Sequence, residues 1–600
     1  MSRPIGPRPS MTAGSAFTGW LALAACWTAI GALALLWCAA RLAALFTGGS
    51  VTPFGSRFAV ALLHGRAWTG VPTVLVLGLT GFFVVFVAGA AMATWRMVRH
   101  RTGSVDDPAT ALAGDPQLRH LMRGAAADAV RLRPALRNTR PNGLASGELG
   151  LALGELHDTR ARRSGATVLA SWEDTVVAFM APRSGKTTAI GVPAVLSAPG
   201  PVIATSNKAD LWAATAAIRE DETGGQVWLF DPQGITHQPQ RWWWNPLLRL
   251  STVEDADRLA GHFVLTVADE RQRDLWGPAA QDLLAALMLA AANTGRSLRD
   301  VAGWLNEPGV PTPCELLQQA GYPAMAASLR GAQNGAVETR DGIYQTARTA
   351  AKCLNDEAIM AWVTPSAGSA TSMFDPAEFA DSADTLYLLS KSRSAAAPLI
   401  AALTDTTMRA AERRAEQAGG RLDPPLPVIL DEAANICRIA DLPDLYSHLG
   451  SRGIVPVTIL QSYEQGITVW GEPGMAALWG AATKKLIGAG CDSPRLARDL
   501  SALIGQHDVP VRGVSYQDGR PGENISLRRQ EILDPAQIRA LPPGTAVLLA
   551  TGIKPALVDL KPWHRGPDAG RIAACVHDAE AAITRAAQRS DVATAIGGAP

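Results

Sequence analysis

Val176-Val177-Ala178-Phe179-Met180-Ala181-Pro182-Arg183-Ser184-Gly185-Lys186-Thr187-Thr188 reads as an apolar strand running into a tight loop and then a helix. An unbroken apolar run suits a strand covered on both faces of a sheet. Such a loop aims backbone N–H groups at one point, and the positive end of the following helix adds to them, so it forms a cradle for phosphate. Lys186 is placed to reach the β and γ phosphates of a nucleotide and the Thr187 hydroxyl to ligand Mg²⁺, with Arg183, Ser184, Gly185 and Thr188 completing the loop. The usual pattern has glycine five residues before Gly185; here that residue is Met180, so the chain must enter the loop by another path.

A second apolar run, Leu426-Pro427-Val428-Ile429-Leu430-Asp431-Glu432-Ala433, ends in two adjacent carboxylates. Side chains alternate along a strand, so the two can serve different ends. Asp431 is suited to hold the Mg²⁺ shell, and Glu432 to take a proton from the water that attacks the γ-phosphate. Gln461, closing Val455-Pro456-Val457-Thr458-Ile459-Leu460-Gln461, offers a donor and an acceptor for sensing that phosphate or orienting the water; the alternative is a plain polar strand end. Arg452 precedes the same strand and is either an arginine supplied across a subunit boundary or a surface residue. Lys208 and Asp210, after the next strand, touch nucleotide or a neighbouring subunit, or simply belong to a helix-capping segment. Three adjacent tryptophans, Trp242 to Trp244, cannot share one face, which favours packing over base stacking.

The 600 residues exceed one ordinary core, and a net charge of +1 argues against a protein that coats nucleic acid with its whole surface. The seven cysteines are scattered without a Cys-x-x-Cys pair, which excludes a zinc framework and points to a reducing compartment.

No charged residue lies between Arg8 and Arg41, nor between Arg66 and Arg96, and each interval holds the roughly 20 apolar residues a helix needs to cross a bilayer. Two transmembrane helices are expected, at about 17–40 and 71–95. Arg96, Arg99 and Arg101 favour a cytoplasmic side after the second span, and a nucleotide site requires it, which also puts the N-terminus inside. The basic stretch Arg119, Arg123, Arg131, Arg133, Arg137 and Arg140 then faces anionic lipid or, alternatively, DNA.

Downstream of the loop, strands alternate with helical patterns, the mark of an α/β domain with a mostly parallel sheet. Strands are expected at 201–206, 226–231, 385–390, 428–431, 455–461, 485–489 and 546–551, and between 231 and 385 helical patterning takes over, strongest over 274–291. The expected order is a membrane anchor (1–100), a basic juxtamembrane segment (101–165), a nucleotide-binding domain in two parts (166–250 and 385–565), an all-helical insertion (251–384) and a tail (566–600) with a helix over 576–589.

The two spans, Pro182 to Thr187, Phe230-Asp231-Pro232, Trp244-Asn245-Pro246-Leu247, Trp276 with Gln281-Asp282-Leu283-Leu284, Leu430-Asp431-Glu432-Ala433 and Leu460-Gln461-Ser462 together resemble the type IV secretion coupling proteins of the TraG/TraD kind. That resemblance implies a RecA-like P-loop NTPase domain with an inserted all-helical domain, forming a homo-hexamer at the bacterial inner membrane. It implies ATP and Mg²⁺ as cofactors, single-stranded DNA with bound relaxase and the secretion channel components as partners, and nucleotide roles for Lys186, Thr187, Asp431, Glu432 and Gln461. Two alternatives differ in class: a substrate-docking receptor that uses nucleotide to hold its ring together, and an FtsK-like double-stranded DNA translocase. The second commonly carries a C-terminal winged-helix domain, for which 568–600 is too short.

Overall fold

The two apolar runs that flank the expected site lie in one sheet with a third strand between them. The computed structural model describes residues 15–101, 111–113, 115–122, 124–140, 144–157, 166–265, 276–364, 371–391, 395–517 and 520–597. It separates into two units, residues 1–105 and 106–600.

The larger unit is built on an eleven-stranded sheet. In chain order its strands are β1 (Leu151–Leu156), β2 (Thr167–Ala170), β3 (Val176–Phe179), β4 (Val202–Ser206), β5 (Val227–Phe230), β6 (Thr385–Leu389), β7 (Leu426–Asp431), β8 (Ile454–Leu460), β9 (Lys484–Ile487), β10 (Thr545–Ala550) and β11 (Ala556–Asp559). The spatial order is β2-β1-β11-β10-β9-β3-β8-β7-β4-β6-β5. From β9 to β5 every pairing is parallel. Every residue of β3, β4, β6, β7 and β8 is buried, which explains why their sequences are mainly apolar.

The sheet is nonetheless mixed, because β10, β11, β1 and β2 continue it with antiparallel pairings. Three of these four strands lack a clear sequence signal. β1 and β11 pair residues some four hundred positions apart, Leu156 with Val558, and β1 carries an irregularity at Ala152 to Gly154. Short strands whose partner is so remote show no local period to read.

Between β5 and β6 the chain forms helices, among them Val253–Val264, Trp276–Ala292, Leu298–Asn306, Thr312–Gln319, Pro323–Gln333 and Val337–Ala350. Trp276–Ala292 is their centre, with Ala280 and every residue from Leu283 to Ala291 buried. The start and finish of the insertion are held together. Trp242 and Trp243 pair in parallel with Ser372 and Met373, Trp244 N–H donates to the Trp362 carbonyl, and Trp242 packs against Trp228, Phe230, Trp362 and Phe374 with ring centroids 5.1–5.9 Å apart among them. The tryptophan run is packing, as its spacing implied.

The basic stretch is only partly a surface. Arg133 is buried and pairs with Glu148 and, at 2.9 Å, with Asp423, so it clamps the segment to the sheet and meets neither lipid nor DNA, whereas Arg119, Arg131, Arg137 and Arg140 are exposed; Arg123 lies outside the described residues. The tail forms one helix, Ala569–Gly597, longer than expected, whose Arg571 pairs with Asp221 and Glu222 of helix Asp210–Thr223.

The smaller unit holds two long helices, Ser15–Thr47 and Thr73–Arg101, joined through a short helix and a two-residue antiparallel pairing of Ser50–Val51 with Trp68–Thr69. Among the described residues one stretch, Trp27–Thr47, is long and apolar enough to cross a membrane, and the apolar stretch Thr73–Gly89 is shorter.

Arg219 supplies a test of how the larger unit is tied together. On helix Asp210–Thr223 and 2% exposed, it donates to the carbonyls of Ala198 (2.5 Å) and Gly200 (2.6 Å) and to the Thr385 hydroxyl (3.0 Å), joining the approaches to β4 and β6. Arg219→Met strands buried acceptors at about 1–3 kcal/mol each. Thermal melting of the purified chain should show a fall of several degrees, and an unchanged melting temperature would mean that water replaces the guanidinium.

Candidate nucleotide site

Parallel strands bring their C-terminal ends to one edge, and in open α/β sheets ligands bind there. β3, β7 and β8 do so here, delivering Lys186, Asp431 with Glu432, and Gln461 to one place. The loop after β3 curls because Arg183 (φ 63°) and Gly185 (φ 88°) are both left-handed, the alternation that turns backbone N–H groups inward in an anion nest. Ser184 and Thr188 brace it internally, donating to the carbonyls of Ala181 (2.6 Å) and Gly185 (3.0 Å). A wide π turn over Thr187–Gly191 then opens the helix.

Met180 shows how the chain enters this loop without the usual glycine. Its N–H donates to the Leu460 carbonyl (3.0 Å), Ala181 N–H donates to the Ala489 carbonyl (3.2 Å), and Gly488 N–H donates to the Phe179 carbonyl (2.9 Å). The Met180 side chain is buried over Gly488, where an added Cβ would stand 2.9 Å from its Cγ. Two residues on, a Cβ at Gly490 would stand 2.3 Å from that of Ala181. The missing glycine of the loop is thus matched by glycines on the neighbouring strand end, a compensation that no local pattern around Lys186 could disclose.

At the centre, the Lys186 ammonium pairs with Glu432 and lies 3.7 Å from Asp431 Oδ1. The Thr187 hydroxyl donates to Asp431 Oδ2 at 2.7 Å. Gln461 donates its amide to both oxygens of Glu432 at 2.8 Å, and Asn435 donates to Oε2 at 2.7 Å. Asn435 was missed by sequence reading; its one signal is its place three residues after Glu432. Glu432 itself is left-handed (φ 60°), which turns the chain sharply out of β7 and aims its carboxylate back at Lys186.

Asp431 and Glu432 are driven in opposite directions. Burial raises the Asp431 carboxyl above its ordinary range and outweighs the pull of Lys186 and the Thr187 hydrogen bond. Burial acts on Glu432 as well, but hydrogen bonds from Lys186 and Gln461 overcome it and hold that carboxyl below its ordinary range. Asp431 Oδ1 is buried without a hydrogen-bond partner. A buried carboxylate with one unpartnered oxygen beside a threonine hydroxyl is the donor set of a hard divalent cation, so these residues fit Mg²⁺.

Other expected site residues fall elsewhere. Arg452 stands beyond the opposite end of β8 from Gln461, a seven-residue strand about 20 Å long, and pairs with Glu416 at 3.3 Å, so within its own chain it does not reach the carboxylates. Asp210 opens helix Asp210–Thr223, exposed, and lies near enough to Asp431 to help raise its carboxyl; Lys208 is exposed.

Residues 425–543, which contain β7 with both carboxylates, β8 and β9, match the family model described as "TraM recognition site of TraD and TraG". On this segment the chain is similar to the TraG and TraD coupling proteins. No curated protein sequence matches the chain. Among solved structures it is similar to the unbound bacterial conjugative coupling protein TrwBdeltaN70, with 18% identity and a TM-score of 0.46 over 67% of this chain and 89% of the other. It is also similar to the plasmid coupling protein TrwB in complex with the ATP analogue ADPNP (17%, TM-score 0.45, 68% and 93%). A further match is VirB4 of Thermoanaerobacter pseudethanolicus (14%, TM-score 0.38, 69% and 96%).

The opposed carboxyls have opposite consequences for stability. Glu432, lowered in the fold, contributes stability above its unfolded value of about 4.5 that is lost as pH falls through the folded value. Asp431, raised in the fold, costs stability that grows as pH rises from its unfolded value to its folded one and is present in full above that. At pH 7 without nucleotide, Glu432→Gln should therefore melt lower than wild type, by a margin that vanishes on acidification, while Asp431→Asn should melt no lower. A pH-independent deficit for Glu432→Gln would refute the ion-pair account.

Gly490 (φ 86°) provides a second test. Gly490→Ala combines a left-handed alanine with the clash against Ala181, and should weaken nucleotide binding by displacing the start of the loop, read as a raised Kd for a fluorescent ATP analogue.

Proposed function

We propose that this chain is a membrane-anchored ATPase that couples a relaxase-bound DNA strand to a type IV secretion channel in conjugative transfer. The observation that carries the reading is the convergence of Lys186, Thr187, Asp431, Glu432 and Gln461 at one sheet edge, inside a chain whose 425–543 segment matches the coupling proteins. In this reading the loop from Arg183 to Thr188 holds the phosphates, with Lys186 on the β and γ groups. Thr187 and Asp431 hold Mg²⁺, whose charge offsets that of the phosphates. Glu432, ionised near neutrality, takes a proton from the attacking water once Lys186 has turned to the phosphate, and Gln461 orients that water. Arg452 enters a site only from a neighbouring copy, which requires a ring and suits a hexamer.

The anchor reading extends to two spans with both termini of the anchor inside. Large apolar side chains stand exposed along both long helices of the smaller unit, Trp27 and Ile30 on the first and Val74, Leu77, Phe82, Val85 and Phe86 on the second, as on helices that face lipid. We read the helices between β5 and β6 as the all-helical insertion, and helix Pro494–Ile504 with the hairpin Gln506–Gln517/Arg520–Glu531 as the part of the matched segment that docks a relaxosome protein of the TraM kind.

Lys186→Ala should abolish Mg²⁺-dependent ATP hydrolysis by the purified chain and transfer in a mating assay. Glu432→Gln should bind ATP but turn it over at least about a hundredfold more slowly. Normal transfer by Lys186→Ala would overturn the motor and leave a docking receptor.

A further inference from the structure

The segment that follows Glu432 is joined to the helical insertion by a chain of ionic contacts that runs from a partly exposed pair into a buried one. Glu432 leads into the short helix Ala433–Ile436, after which Cys437 Sγ lies 3.5 Å from the Thr404 hydroxyl, and Trp470 donates its indole N–H to the Ile439 carbonyl at 2.7 Å. Asp441, at the far end of this segment, pairs with the Arg409 guanidinium. The same guanidinium reaches Asp405, Nε lying 3.0 and 3.2 Å from its two oxygens, one turn earlier on helix Ala397–Gln417. Asp405 Oδ2 in turn meets His262 Nε2 at 3.2 Å. His262 belongs to helix Val253–Val264, the first helix of the insertion, which packs along its central helix Trp276–Ala292.

His262 and Asp405 are each about 3% exposed, so these contacts are not screened as surface pairs are. Burial alone would raise the Asp405 carboxyl, yet His262 and Arg409, with Arg258 further off, hold it below the ordinary range. Removing His262 or Arg409 leaves the buried Asp405 carboxylate short of a partner in low dielectric, which ties these three together. Beside it lies a cavity of about 60 Å³, lined in part by Arg258, His262, Asp405, Arg409 and Arg413, so these side chains have room to exchange partners.

We propose that Asp441, Arg409, Asp405 and His262 couple the nucleotide state of the Glu432 segment to the inserted helices, with Arg409 as the positioning residue that bridges the two. The coupling rests on the reading of the site as a nucleotide site and does not depend on DNA being the cargo. When Lys186 leaves Glu432 for phosphate, Glu432 loses its strongest partner and its segment re-seats. Arg409 then redistributes between Asp441 and Asp405, and the hold of Asp405 on His262 changes with it. A structural role alone would leave the insertion indifferent to nucleotide.

Hydrogen exchange on the full chain in detergent, with and without Mg²⁺ and a non-hydrolysable ATP analogue, reads this directly. Binding of the analogue, measured separately, should change exchange over 253–264 in wild type, and Asp441→Asn should keep the affinity within about twofold while losing most of that change. Asp441 is the member of choice because its side chain is about one-third exposed, so the variant folds most readily. His262→Asn and the double variant complete a cycle: the double variant should lose no more of the exchange change than either single one. Additive losses, or a wild type that binds analogue without any change over 253–264, would overturn the coupling and leave the site reading intact. Failure of wild type to bind analogue would overturn both.

Discussion

One ammonium between two buried carboxylates is the constraint on which the rest of the site depends. Lys186 can be brought between Asp431 and Glu432 only if β3 and β7 are parallel and end at one level, which β8 between them enforces by pairing with both. The all-apolar composition of these strands follows, because a parallel sheet covered on both faces has no side left for water. The charges in turn explain Glu432's left-handed backbone. An ordinary strand exit would carry its carboxylate away from Lys186, whereas the sharp turn aims it back, where Gln461 and Asn435 fix it. Such strain is tolerated where surrounding bonds over-determine it.

The balance at this centre is also what makes it responsive. Lys186 is paired with Glu432, so an incoming phosphate has to compete for it, and an ionised Glu432 freed of lysine is a better proton acceptor than one that is paired. Asp431 stands the other way, its charge opposed by burial until a cation meets the unpartnered Oδ1. Binding of a metal–nucleotide pair would relieve one carboxylate and release the other in a single event.

Much of this was legible in the sequence because it is local. The loop, the Asp431-Glu432 pair, Gln461 and eight of the eleven strands each announce themselves within a dozen residues, through apolar runs and polar ends. What stayed hidden is non-local. β1, β2 and β11 are short, and β1 joins β11 across the length of the larger unit. Met180 looked like a defect in the loop because its compensation, Gly488 and Gly490, lies some three hundred residues on. Arg133 looked like one of six surface arginines, and only the fold shows Glu148 and Asp423 waiting for it. Arg452 lies at the far end of β8 from Gln461 and pairs with Glu416 within its own chain, so a role across a subunit boundary is not something one chain displays.

The insertion illustrates how a helical body can be built into a sheet without breaking it. β5 and β6 are parallel neighbours, so the chain that leaves the C-terminal end of one has to cross back to the N-terminal end of the other, and its outgoing and returning arms meet at one point on the way. The two-residue ladder of Trp242–Trp243 with Ser372–Met373 closes that point, and five aromatic rings pack around it. A base fixed by large rings resists sliding, since aromatic side chains contribute much contact area with little rotamer freedom. Polar contacts on the other side of the insertion have the opposite character. Arg409 has two carboxylates within reach, Asp405 and Asp441, and a cavity lies beside His262, Asp405 and Arg409. The insertion thus has an aromatic base and a set of ionic contacts, and the coupling proposed above asks only the second to change when Glu432 does.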